Sequence, residues 1–286
     1  MPEYSTEVPP HTTIVITGAT DGLGKALATA LSQQRANSLI LHGRSAERLA
    51  CLREDLAPQP ATIATVQADL SEMAQVHQLA DEIVGLTDHV NVLVNNAGAG
   101  GAKPDGPTRR LTVDGNELRF AVNHLAAFCL TQRLLALLEH GAPARIVNVA
   151  SIGQTPIDFD DLTLEHGFDL QRAYNQSKLA MITTGITLAG RLDPTRVTVN
   201  SLHPGTYMPT KMVMQSIGYS IDSLDTGVRS TLRLIQDPAL AQVTGRFYDR
   251  TNETRAHPDA YQPDIQQRLW GISKQLTAPT HSTDMN

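Results

Sequence analysis

Short apolar runs rich in β-branched residues recur along almost the whole chain, each followed by a stretch with helical character. The runs are Thr12–Thr17, Ser38–His42, Thr62–Gln67, Val90–Asn95, Arg145–Ala150, Arg196–Leu202 and Gly245–Tyr248. Most are continuous rather than alternating, the pattern of parallel strands covered on both faces. Between them lie Gly24–Gln34, Ala46–Leu56, Glu72–Val84, Glu117–Glu139 and Ala173–Arg191, with Ser45 and Ser71 placed as N-caps and Pro194 just beyond a helix end. Strand and helix alternating at this scale predict an α/β fold, one doubly wound parallel sheet of about seven strands with helices on both faces. Three long segments interrupt the alternation, 98–115, 156–170 and 204–225, and each follows a strand. Ligands of such sheets bind outside the carboxyl ends of the strands, so these segments are the expected substrate walls and no separate substrate domain is required. The expected layout is a disordered or extended tail over 1–11, one domain over 12–276 and a flexible tail over 277–286.

Composition excludes several function classes. The formal net charge is -6, which offers no general attraction to nucleic acid or an anionic membrane. Cys51 and Cys129 are the only cysteines, too few for a disulfide framework or a metal cluster, and they suit a reducing compartment. No His-Glu-x-x-His or Cys-x-x-Cys run exists, and the ten histidines form no metal set. No segment approaches the roughly 18 apolar residues needed to span a bilayer. The expectation is a cytoplasmic protein acting on a small molecule.

The first strand runs into Thr17-Gly18-Ala19-Thr20-Asp21-Gly22-Leu23-Gly24 and then a helix. Gly18, Gly22 and Gly24 let the backbone turn tightly and approach a pyrophosphate, while the helix N-terminus offers free N–H groups and a positive dipole. This spacing, Gly-x-x-x-Gly-x-Gly, differs from the commoner Gly-x-Gly-x-x-Gly fingerprint. The second strand ends in His42-Gly43-Arg44-Ser45. With no acid to accept from a ribose 2′-hydroxyl, and an Arg suited to a 2′-phosphate, this end favours NADP(H), with NAD(H) second. Arg44 could equally be a solvated residue opening a helix, and the charge of Asp21 would oppose a nearby 2′-phosphate.

Tyr174 and Lys178 stand four residues apart and so share a helix face. A phenol titrates near pH 10, and a neighbouring ammonium favours its ionised form, which allows a Tyr to act as acid or base nearer neutrality. Alone, such a pair is an ordinary amphipathic surface pair. Here it follows Asn95-Asn96-Ala97-Gly98 at the fourth strand end, Asn123 within the next helix and Ser151 at the fifth strand end, and it precedes Pro204-Gly205 at the sixth.

This ordered set resembles the short-chain dehydrogenase/reductase family over essentially Thr12 to Leu276. Within it the chain is most similar to the retinol dehydrogenase-like group, through His42-Gly43-Arg44, Val122-Asn123-His124-Leu125, the 158–167 insertion and Arg268-Leu269-Trp270. The resemblance implies a Rossmann-type sheet and an oxidoreductase acting on a carbonyl or alcohol. In it, Tyr174 exchanges the proton and Ser151 holds the substrate oxygen. Lys178 lowers the Tyr pKa and binds the nicotinamide ribose, and Asn123 anchors a water linking Lys178 to solvent. It further implies cofactor contacts from Thr20, Asp21, Leu23, Asp69, Leu70, Asn95, Ala97, Gly98, Pro204, Gly205 and Thr206, beside the three glycines and Arg44. Asp69 could instead cap the helix near Ser71, and Asn96 is expected to be structural. The family also implies a homodimer or homotetramer through the helices of Asn123 and Tyr174. A competing class is a dinucleotide-binding regulator or scaffold without chemistry, but such proteins commonly lose the Tyr, Lys or Ser retained here.

Other features carry blander expectations. Cys129 is expected to be buried, His124 and His203 to pack or bond locally, and Arg109-Arg110 to form an exposed pair. Met208, Met212, Met214 and Ile217 suit either a flexible lid over a lipophilic or ring-containing substrate, or plain core.

Overall fold

A computed structural model describes residues 12–100 and 108–279. The expected tail over 1–11, most of the tail over 277–286, and residues 101–107 of the first loop lie outside the described residues. The strands are β1 (Thr12–Ile16), β2 (Asn37–Gly43), β3 (Thr62–Gln67), β4 (Val92–Asn95), β5 (Ala144–Val149), β6 (Val197–His203), β7 (Phe247–Asp249) and β8 (Asn252–Thr254). They form one sheet in the order β3-β2-β1-β4-β5-β6-β7-β8, parallel through β7. The order reverses between β1 and β4, where the two halves of the sheet diverge and leave a crevice for a ligand.

Alternation along β1 explains the two-sided core. Ile14 and Ile16 pack with Leu27 and Leu31 of α1 (Gly22–Ser32), Leu52 and Leu56 of α2 (Ala46–Leu56), and Leu234 and Ile235 of α9 (Leu224–Gln236). Val15 points the other way, into a cluster with Val76 and Ile83 of α3 (Met73–Leu86) and Leu179 and Ile182 of α7 (Leu170–Ala189). Period-two side-chain direction places successive residues of one strand in different cores. On that second face α10 (Pro263–Leu276) packs on α7, seating the Trp270 ring edge-on against Phe128 and beneath the Arg191 guanidinium.

Four local expectations are corrected. The sheet has an eighth strand, β8, antiparallel to β7 and exposed throughout, whose Asn-Glu-Thr sequence has no apolar signal to announce it. The expected helix over 117–139 is divided into α4 (Leu118–Phe120), a π-helical turn (Ala121–Leu125), α5 (Ala126–Arg133) and α6 (Leu135–His140). Ser71 does not cap α3. Its N–H and hydroxyl both bond Asp69 Oδ1, Glu72 takes the cap position without a side-chain bond, and Asp114 from the 98–115 loop accepts from Met73 N at 2.8 Å. His124 bonds across the fold rather than locally, to Ser273 of α10 at 2.8 Å. Ser45 does cap α2, accepting from Arg48 N. No helix among the described residues is long and apolar enough to cross a membrane.

Candidate active site

The glycine turn is shaped as a phosphate cradle requires. Gly18 and Gly22 take φ of +66° and +51°, where a side chain would strain the backbone. A Cβ on Gly18 would lie 2.8 Å from Ala97 Cα, and one on Gly24 would lie 2.2 Å from the Gly18 carbonyl oxygen. The turn is therefore packed directly against Ala97, just past the end of β4, and against the Thr210 side chain. Asn96 fastens this approach, its Nδ2 donating to the carbonyls of Thr17 and Gly18 at 2.8 and 3.1 Å. Asp21 caps α1 by accepting from Gly22 N at 2.7 Å, and its other oxygen meets Arg48 at 3.3 Å. The negative charge expected to oppose a 2′-phosphate is thus already paired. Arg44 is largely exposed at the end of β2, 3.8 Å from Asp69, and Leu70 is buried beside it. Thr20 turns its methyl towards Gly43, and Leu23 packs inward towards Gly227.

His42 was not anticipated as part of this cradle. Its Nδ1 accepts from Gly18 N at 3.2 Å and its Nε2 faces the Ala68 carbonyl at 3.0 Å, so the neutral ring protonated on Nε2 satisfies both. Burial pulls its pKa down, which keeps that form.

Across the crevice, the second constellation assembles at the ends of β4 and β5. Asp169 caps α7 by accepting from Arg172 N at 2.7 Å, and the first turns of this helix carry Tyr174 and Lys178 towards β5. The Tyr174 phenol faces the Ser151 side chain, whose Oγ accepts from Gly153 N at 3.0 Å. Burial pushes the phenol up, against the lowering influence of the nearby Ser151 hydroxyl. Lys178 is buried, donates to the Val149 carbonyl at 2.9 Å and lies 5.7 Å from the Tyr174 ring centre. Its burial pulls the ammonium down to about 8.

The π-helical turn aims Asn123 into this cluster, since one extra residue per turn rotates the side chains that follow. Asn123 Oδ1 accepts from Ala99 N at 2.7 Å, while its Nδ2 donates to Ala99 O and to Ser177 Oγ, which in turn donates to the Tyr174 carbonyl. Gly98 lies between: a Cβ there would be 3.3 Å from Asn123 Oδ1 and 3.5 Å from Lys178 Nζ. The loop leading in is held by Arg119, buried against Glu117 at 3.0 Å and donating to the Gly100 carbonyl.

Asn95 stands apart from the other expected cofactor contacts. Its side chain turns into the interior, with Nδ2 on Thr131 and Asn148, and its neighbour Asn96 is the one that reaches the glycine turn. Pro204 and Gly205 are buried, and Thr206 is fastened on three sides, by His203, Arg250 and Asp222. Met208 is core, while Met214 is exposed on α8 (Lys211–Ser216). Sequence alone offered no pointer to Arg250 or Asp222, because nothing in a run of residues shows what a strand end 44 positions downstream will touch.

Comparison with known proteins gives the family and the fold. The family model described as short chain dehydrogenase matches residues 12–217. Human retinol dehydrogenase 14 is 32% identical over 92% of this chain and 85% of its own length, and human retinol dehydrogenase 13 is 30% identical over 93% and 85%. Among solved structures, an NADPH-bound carbonyl reductase from chicken fatty liver superposes with a TM-score of 0.66 at 21% identity, covering 87% of this chain and all (100%) of its own. The RhlG/NADP complex of Pseudomonas aeruginosa reaches a TM-score of 0.68 at 24% identity, covering 85% and 97%. At those identities the two structures speak for the fold. The matched family model and the full-length relatives, together with the Ser151, Tyr174 and Lys178 cluster facing a glycine cradle, make this chain a short-chain dehydrogenase of the retinol dehydrogenase-like kind.

Proposed function

We propose that the chain is an NADP(H)-dependent oxidoreductase acting on a lipophilic or ring-containing ketone, aldehyde or alcohol, with Tyr174 as general acid and base. One observation carries this reading: Asn123 and Lys178 meet beside Gly98, Lys178 lies 5.7 Å from the Tyr174 ring that faces Ser151, and the glycine turn that no larger residue could form packs on neighbouring Ala97. The nicotinamide, when bound, supplies or accepts the hydride.

The chain's own residues divide the remaining work. The turn from Gly18 to Gly24, with Thr20, Asp21 and Leu23, would hold the pyrophosphate at the α1 N-terminus. Asp69, Leu70 and Ala97 would border the adenosine, and Pro204, Gly205 and Thr206 would face the carboxamide. Ser151 fixes the substrate oxygen beside the Tyr174 phenol, which gives its proton to a carbonyl in reduction or takes one from an alcohol in oxidation. Lys178 stabilises the phenolate, and Asn123 secures the loop and helix that frame both. Arg44, with no acid beside it on β2, supports NADP(H), and Arg48 partly offsets the charge of Asp21, while Asp69 lies 3.8 Å from Arg44. The exposed apolar residues Ile152, Tyr207, Met214, Tyr219 and Ile221 support a lipophilic substrate.

We further place the protein in the cytoplasm, on its two unpaired cysteines. Assembly into a homodimer or homotetramer through α5 and α7 would have to accommodate α10, and sedimentation velocity separates the states. The test of function is a panel of carbonyl compounds with NADPH and NADH. Tyr174→Phe should abolish turnover while NADP+ affinity stays within about tenfold, since the phenol oxygen contributes about one hydrogen bond at most. Full turnover in Tyr174→Phe refutes the mechanism, and tighter NADH than NADPH binding refutes the cofactor choice.

A further inference from the structure

The segment from Thr206 to Asp222 leaves β6, carries α8 and returns to almost the point where it left. Thr206 N donates to Asp222 Oδ2 at 2.6 Å, Asp222 N donates to Thr206 O at 3.0 Å, and Ile221 N donates to Tyr207 O at 3.1 Å. These bonds form a closed neck. Beyond it stand exposed Tyr207, Met214, Tyr219 and Ile221, with the rings of Tyr207 and Tyr219 edge to face at 6.0 Å.

The neck is gripped from a distant part of the chain. Arg250 lies just past β7, and its N–H donates to the His203 carbonyl at 2.7 Å, which fixes it to the end of β6. Its guanidinium gives Nε to Asp222 Oδ2 at 3.0 Å, Nη2 to the same oxygen and to Thr206 Oγ1 at 3.1 Å, and Nη1 to Asp249 at 2.7 Å. His203 Nε2 completes the ring of contacts at 3.0 Å from Thr206 Oγ1. A planar fork of donors is the side chain that can reach two carboxylates and a hydroxyl at once.

The backbone is held in a form it would not choose unaided. Tyr207 and Arg250 both have positive φ, +45° and +54°, which side-chain-bearing residues adopt only when their surroundings impose it. At Gly205 a Cβ would lie 3.2 Å from Asp222 Cβ, so the two ends of the neck are packed with little room. Two residues in unfavourable conformation, one on the neck and one on the clamp, are the mark of a segment whose shape is imposed by contacts rather than local preference.

We propose that Arg250 is a positioning residue that, through Asp222, pins the neck of the 206–222 loop and thereby sets both the turn facing the nicotinamide and the apolar wall of the substrate cleft. The clamp itself stands on the geometry alone, and its effect on turnover rests on the oxidoreductase reading. Because Thr206 belongs to the turn and Tyr207 to the wall, one clamp couples cofactor and substrate sites.

The test combines proteolysis and kinetics. Lys211 opens α8 and is exposed, so a lysine-specific protease reports on the loop directly. Arg250→Met should raise cleavage after Lys211 about tenfold, the factor expected from losing a charge-assisted bond pair, without raising cleavage after buried Lys178. It should also raise KM for the carbonyl substrate and weaken NADP+ binding, measured by calorimetry, by a similar factor. Arg250→Lys should restore part of each effect, and Arg229→Met, which removes an exposed pair with Asp225 on α9, should change none. If Arg250→Met fails to fold, Asp222→Asn makes the same measurement with the neck's backbone bonds kept. Unchanged cleavage at Lys211, or an equal rise at every lysine, overturns the proposal. Faster cleavage at Lys211 with no turnover of any carbonyl by the wild type would leave the clamp standing and remove the oxidoreductase reading instead.

Discussion

Replacing Lys178 with Met tests whether the ammonium serves chemistry or structure. The charge lies 5.7 Å from the Tyr174 ring centre. At an effective dielectric of about 20 and a separation of about 6 Å, a phenolate and an ammonium attract by about 3 kcal/mol, or about 2 pK units. Lys178→Met should therefore move the alkaline-rising limb of alcohol oxidation up by about 2 pH units and lower the rate below that limb about 100-fold. Carbonyl reduction uses the neutral phenol and should fall less, about tenfold for an intermediate Brønsted slope. Stability behaves differently. Burial depresses Lys178 from 10.5 to about 8, so the folded chain carries about 3 kcal/mol against its charge that Met removes. Met also leaves the Val149 carbonyl without its donor, at about 1–3 kcal/mol. These nearly cancel, and Tm should move by only a few degrees. The assay is kcat and kcat/KM against pH in both directions, with Tm by calorimetry. An oxidation limb at the wild-type pH, or a rate loss matched by a collapse in Tm, would refute this assignment.

Two further predictions follow from packing and protonation. His124 is buried, its Nε2–H donates to Ser273 Oγ, and its Nδ1 has no hydrogen-bond partner among the described residues, so burial pulls its pKa from 6.5 to about 3. The folded state then binds fewer protons than the unfolded state between those values, so stability falls as pH falls through that window, by about 1.4 kcal/mol per unit. From pH 7 to 5 the wild type should lose about 2 kcal/mol more than His124→Phe in urea titrations, and parallel losses would contradict it. For the cradle, Gly24→Ala meets the Gly18 carbonyl and should weaken NADP+ binding by about 100-fold or more. Gly85→Ala, with no neighbour within 4 Å in α3, should leave binding intact and stabilise by up to about 1 kcal/mol. Equal effects of the two substitutions on affinity would show that the clash is not what matters.

Much of the fold was readable because parallel strands buried on both faces must be apolar throughout, and seven of the eight strands carry that signal or a close approach to it. β8 does not, since an exposed edge strand places no demand on side-chain polarity. Helices α9 and α10 lie outside the expected helical stretches, and the division of the 117–139 helix at a π-helical turn has no sequence marker stronger than Asn123 itself. The candidate site residues and the glycine turn could be picked out one by one because their residue types are tied to chemistry. Residues whose role is to hold others, His42, Ser177, Asp222 and Arg250, are chemically ordinary and became visible only through their partners.

By itself, then, the sequence determined the alternating α/β architecture, the place of the glycine turn and the placing of Tyr174 and Lys178 on one helix. Those features rest on local requirements: side-chain period, φ above zero at glycine, four-residue spacing on a helix. Only the tertiary structure decided that Asn95 turns inward while Asn96 braces the glycine turn, that Asp21 is paired with Arg48, and that Arg250 bonds both Asp222 and Thr206 across the neck of the 206–222 segment. The reason is physical: hydrogen bonds and ion pairs between residues far apart in the chain depend on where the packed sheet brings them, and that placement is a property of the whole core.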